Sequence, residues 1–278
     1  MNAPAPLARF DSNRAWQETS AAISAGRDVI AALAGVFIVL PAFALAVLRP
    51  MPEPRDGADF DALMAGITTY FEENWWAYLV VGLINVVGTM ALLAMFGHSS
   101  RPTAGEAIKR GFAAAPAGIA AQILLGMALS AAVMLPGTIL ALSGSPLLAG
   151  LGIAIGVGAA TWLWARLSIA APIIVNDGQN NPFTALQRSF VLTRGNAGRL
   201  LLFYVLLVLA FAIATQLIVS VVTLAAQAAG GPHVALIVGA LVASVLQAAM
   251  TVYLAGAVAA SHRQLTGTTH PTVPGVFG

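Results

Sequence analysis

Five polar side chains stand inside or against apolar runs too long for the core of a small soluble domain: Asn85, Gln122, Arg166, Gln216 and Gln247. An amide in hydrocarbon has no water to bond, so each of the four needs a partner from the protein. Spread over separate contacts they act as glue between helices; gathered around one space they line a cavity for a headgroup or solute. Arg166 is the costliest, at roughly 2.5–3.5 kcal/mol on insertion scales if it lies deep, and calls for a carboxylate, backbone carbonyls or a lipid phosphate. Two placements are open for it: buried within a span, or at the interface beside Trp162 and Trp164. Either leaves it near Arg188, Arg194 and Arg199, a cluster suited to anionic phospholipid headgroups. The positive-inside rule produces such a cluster without any ligand as well.

Reactive constellations are missing from the sequence pattern. The four histidines, His98, His233, His262 and His270, fall on loops and tail without metal-ligand spacing or a nearby acid, so they read as surface residues. Gly150-Leu-Gly152-Ile-Ala-Ile155 fails the dinucleotide fingerprint at its last position and lies in an apolar helix. No phosphate-binding lysine loop and no Gly-x-Ser-x-Gly elbow occurs, and there is no cysteine. Six of the eleven carboxylates, Glu53, Asp56, Asp59, Asp61, Glu72 and Glu73, share one stretch and read as a solvated face. The expectation is a protein that is not an enzyme and has neither metal nor cofactor.

The elements that must carry these residues follow from composition. The 278 residues are 59% hydrophobic and 9% charged, against roughly 45–50% and about 25% in soluble domains, so most of the surface faces lipid. A net charge of +2 argues against nucleic acid as a partner. A helix crossing a ~30 Å hydrocarbon core needs about 20 apolar residues. Six such runs are read: 29–48, 75–96, 113–135, 147–167 or on to 175, 200–225 and 234–260. Ala42-Phe43-Ala44 has the small-residue pattern of a signal-peptidase site, but the apolar run continues past it and the first span is read as retained.

Lysine and arginine set the orientation. Arg9, Arg14 and Arg27, then Arg101, Lys109 and Arg110, then Arg188, Arg194 and Arg199, and finally Arg263 fall on one side; Arg49 and Arg55 fall on the other. Both termini are therefore expected in the cytoplasm of a bacterial-type inner membrane. Residues 1–28 form an N-terminal amphipathic segment, 29–260 the membrane domain and 261–278 a flexible tail.

Short amphipathic segments precede the odd-numbered spans. Thr103 and Glu106 have capping-box spacing, and Asn181-Pro182 opens a segment with Phe183, Leu186 and Phe190 on one face. Aligning Ala15, Ala107 and Ala185 places Gly26, Gly118 and Asn196 eleven positions later, which suggests three copies of interfacial helix, span, loop and span. The fold expected is an all-α integral membrane protein with six transmembrane helices and cytoplasmic interfacial helices in three hairpin repeats. Gly152, Gly156 and Ala160 form a small-residue row that admits a neighbouring helix.

The run from Arg166 through Pro172 to Val175, the Asp177-Gly178 turn, Asn181-Pro182, and the stretch Ala185 to Asn196 containing Arg188-Ser189-Phe190 and Arg194-Gly195 resemble the glycerophosphoryl diester phosphodiesterase membrane-domain family. The resemblance covers about residues 160–220. It implies a multi-span inner-membrane protein linked to phospholipid metabolism or transport. In relatives that carry a phosphodiesterase, chemistry belongs to a separate barrel; this chain resembles the membrane region alone, and no catalytic residues transfer. The function expected is a lipid-contacting accessory or scaffold component whose partners are phospholipids and another membrane protein. The alternative is a carrier for a lipid or small amphipathic solute.

Overall fold

Glycine and proline decide where these apolar runs bend. The computed structural model describes residues 9–52, 59–97 and 102–267. Asp11 caps α1 (Ser12–Ala34) by accepting from the Arg14 N–H, and Gly26 breaks it with non-helical torsions. Pro41 has no N–H to return to the preceding turn, and here the helix widens through one π turn (Gly35–Val39) before continuing as α2 (Leu40–Leu48). After α3 (Phe60–Gly97) comes α4 (Ala104–Ala141), opened by a complete capping box between Thr103 and Glu106. Then follow α5 (Pro146–Leu167), α6 (Ala170–Asn176) and α7 (Pro182–Leu192), where the Asn181 side chain accepts from the Phe183 and Thr184 N–H groups. The chain ends in α8 (Ala197–Thr266).

Among the described residues, five helical stretches are long and apolar enough to cross a membrane: Ser12–Leu48, Phe60–Gly97, Ala104–Ala141, Pro146–Asn176 and Ala197–Thr266. The last would extend about 105 Å if straight. It is not straight. Gly231 has φ 78° and ψ −175°, open in practice to glycine alone, and Pro232 cannot donate back across it. The two arms then run side by side: Thr223 meets Gly239, the Phe211 and Tyr253 rings lie 5.5 Å apart, and Tyr204 donates to Ser261 at 2.9 Å.

Several boundaries differ from the sequence expectation. The acidic segment beginning at Phe60 and the span after Trp75 form one unbroken helix, as do the segment after Thr103 and the span after Ala113. Hydropathy changes at those points but no helix breaker stands there; even Pro116 sits inside α4. Of the three segments expected as interfacial helices, α7 is a separate helix, the first is set off from its span by the break at Gly26, and the second runs straight into its span. The tail also starts later. Ser261, His262 and Gln264 are buried in the last turns of α8, which reaches Thr266 because these polar side chains have partners on other helices. His98, Arg101, His270 and the acids Glu53 and Asp56 lie outside the described residues.

The buried core gathers at the end of the bundle that holds both chain ends, where the second half of α3, α6 and the two ends of α8 meet. Ala15, Ala107 and Ala185 are all fully buried. One turn later, Thr19 touches Gly256 of α8, Gly111 lies against the Val87 and Ala91 backbone of α3, and Ser189 bonds the Arg166 carbonyl of α5. Away from this end, leucine, isoleucine and valine of α4, α5 and α8 point outward, as a surface in hydrocarbon requires.

Small residues set the closest approach. Gly152 faces Pro136 and Gly137, and a Cβ on Gly156 would fall 2.7 Å from the Ala132 carbonyl oxygen and the Val133 backbone of α4. Ala160 is half-buried, whereas Gly158 faces open space. Gly156→Leu should therefore cost on the order of 1–3 kcal/mol in thermal unfolding in detergent, and Gly158→Leu should leave the melting temperature unchanged. Equal melting of both variants would disprove this seam.

Candidate functional site

At the termini end, Arg166 is only 8% exposed on the last turn of α5. Its guanidinium donates to the Phe190 carbonyl and lies 5.1 Å from the Trp162 ring centre and 3.9 Å from that of Phe190. Its own carbonyl accepts from Ser189 Oγ at 2.9 Å and Thr193 Oγ1 at 3.1 Å. The residue is thus buried by protein at a span's end, and its charge is spent on docking α7. Arg188 pairs with Asp177 at 3.2 Å, while Arg194 and Arg199 are exposed. Of the four arginines expected to hold headgroups, two are occupied within the protein.

A second network at this end carried no sequence signal. His262 Nε2 approaches Asp177 at 3.4 Å, across 85 residues of chain, which corrects the expectation of a histidine without an acidic neighbour. Arg263 donates to the Phe96 carbonyl at 2.6 Å and to Glu18 at 3.1 Å, and Glu18 also holds Arg14 at 2.8 Å. Gln264 Oε1 accepts from the Asp11 N–H, and Asn196 Oδ1 from that of Phe10. Only tertiary folding brings these pairs together. Among the described residues no group of three acids or histidines is placed to hold a metal ion.

The far end holds a cavity. About 650 Å³ in volume, it lies between α2, α3 and the two arms of α8, and Asn85 and Gln247 both line it. Arg49, Tyr70 and Tyr78 line it nearer the helix ends; Tyr78 precedes Asn85 by about 10 Å of helix. The Tyr70 hydroxyl donates to the Arg49 carbonyl at 2.6 Å and sits 3.2 Å from that of Tyr78. Two of the four amides therefore share one space. Gln122 borders a separate hollow of about 220 Å³ with Thr251, and Gln216 donates to Ser220 on its own helix at 3.3 Å. Arg49, Tyr70 and Thr223 went unremarked as site residues in the sequence; the available signal was an arginine ending an apolar run beside a proline.

Residues 120–270, more than half of the chain, match the family model described as the membrane domain of glycerophosphoryl diester phosphodiesterase. The chain belongs to this family. No curated protein and no solved structure gives a match. The phosphodiesterase membrane-domain match takes in α5 to α7, the Arg166 and Arg188 network and both arms of α8, so it contributes Gln247 to the cavity. Arg49, Tyr70, Tyr78 and Asn85 precede it.

Because the Arg166 guanidinium has protein partners, Arg166→Ala should lower the melting temperature, with a loss of stability on the order of 1–3 kcal/mol for the lost hydrogen bond and ring packing. Co-purified phospholipid, counted by native mass spectrometry, should be unchanged. Loss of lipid without loss of stability would make Arg166 a headgroup ligand instead.

Proposed function

We propose that this chain is a non-catalytic polytopic inner-membrane protein that holds phospholipid, acting as an accessory or scaffold component of membrane phospholipid metabolism alongside another membrane protein. The observation that carries the reading is the cavity shared by Asn85 and Gln247: largely apolar walls with a few polar groups suit an amphipathic molecule better than a hydrophilic one. The family supports membrane residence. Six crossings, with both termini in the cytoplasm, are supported by the fold-back of α8 at Gly231 and by the gathering of Arg14, Arg188, Arg194, Arg199 and Arg263 toward one end, with Arg49 at the other. The shared burial of Ala15, Ala107 and Ala185 supports three repeats, the second and third seating their leading segments on the span before them and the first on the second arm of α8.

A carrier role is the second reading, favoured by the convergence of Asn85 and Gln247. Purified protein should retain phospholipid in native mass spectra, and Asn85→Leu with Gln247→Leu should reduce the bound fraction while the melting temperature holds. Wild-type protein free of lipid would sink the proposal. In proteoliposomes containing a fluorescent phospholipid, transbilayer movement no faster than in protein-free vesicles would dismiss the carrier and leave the holding role.

A further inference from the structure

Arg49 stands where three hollows meet: the cavity described above, an apolar groove between α1/α2 and α3, and a smaller polar recess. The groove, about 710 Å³, begins at the π turn, where Pro41 widens the helix, and is walled by Val36, Leu40 and Leu48 on one side and Trp76, Val80 and Ile84 on the other. From Val36 to Leu48 is about 18 Å of helix, against about 15 Å for one leaflet's share of the hydrocarbon core. The groove therefore has the length of one acyl chain and not of a crossing helix. At its end the Arg49 guanidinium sits 5.5 Å over the Trp76 ring, and among the described residues no carboxylate pairs with it.

The recess beside Arg49, about 500 Å³, is lined also by Thr69, Glu73 and Asn74. Asn74 is 5% exposed; its Nδ2 donates to the Tyr70 carbonyl, but its Oδ1 accepts nothing within the protein. A buried amide oxygen left so calls for a donor. Glu73 is exposed and, among the described residues, has no cationic partner. The Asn74 oxygen has no exposed surface, so what the recess offers a headgroup is a cation and an anion at the mouth of a groove the length of an acyl chain.

Resting on the reading of the chain as a lipid-holding protein, the geometry points to a seat for one zwitterionic aminophospholipid: phosphate on Arg49, primary ammonium on Glu73, and an acyl chain along the groove from Leu48 to Val36. A glycerol headgroup brings no cation for Glu73. A quaternary ammonium has no N–H to donate to the Glu73 carboxylate.

The test is native mass spectrometry of the purified protein in micelles doped equally with phosphatidylethanolamine, phosphatidylglycerol and phosphatidylcholine of matched chains. Wild type should retain phosphatidylethanolamine over both others. Arg49→Gln should cut its retention by about tenfold, the scale of one lost charge-assisted contact, and Glu73→Gln should erase the preference over phosphatidylglycerol. Headgroup-indifferent retention that both variants leave unchanged overturns the seat while the lipid-holding role stands; absence of any bound lipid in wild type overturns the role itself. Should Arg49→Gln melt well below wild type, the exposed Glu73→Gln decides alone, and an unaltered ratio overturns the seat. Because the chain has no cysteine, Leu40→Cys adds a single thiol. A disulfide-linked dimer of that variant would place a second copy in the groove and overturn the lipid occupant.

Discussion

A carbonyl buried at the end of a helix has no water to accept from, and at the termini end the chain solves this with side chains brought from elsewhere. The Arg166 carbonyl takes the hydroxyls of Ser189 and Thr193, the Phe190 carbonyl takes the Arg166 guanidinium, and the Phe96 carbonyl takes Arg263. Each donor belongs to a different segment from its acceptor. The same bonds that complete a helix end thus fix which helices are neighbours, and the buried core lies beside them.

Away from this end little but packing holds the helices. Where α4 and α5 approach, Gly152 and Gly156 allow backbone to lie against backbone, and dispersion replaces the hydrophobic drive that lipid removes. Where approach is looser, as between α1/α2 and α3 beyond the π turn, grooves and cavities remain. The tight termini end and the hollow far end differ in the extent of polar closure: several helix-end carbonyls are bonded across segments at one, and the Arg49 carbonyl takes the Tyr70 hydroxyl at the other.

Much of the fold was legible because lipid makes hydropathy and length informative, and membership of the family was legible from the stretch between Arg166 and Asn196. Helix ends were less so. The eye stops at Trp75 or Ala113 where hydropathy changes, but the backbone continues until a breaker such as Gly231-Pro232 intervenes. Side-chain partnerships across the chain were not legible at all: nothing near His262 announces Asp177, and nothing near Gln264 announces Asp11. The amides were found by their oddity in apolar runs, yet which of them meet depends on helix rotation, which sequence spacing does not carry. Asn85 and Gln247 line one cavity; Gln122 and Gln216 do not line it.

The seat of α1 has a consequence for assembly. Thr19 packs on Gly256, and Asp11 bonds Gln264, so a helix docks on an arm that is made 253 residues later. Until the return arm is made, the face of α1 that holds Thr19 stays uncovered, and this contact is deferred until that arm exists. The contact is among the most non-local the chain can make, which places it late and slow in folding. A nascent chain halted before Gly256 would hold inserted helices but no closed ring of contacts, a state open to capture by other membrane chains.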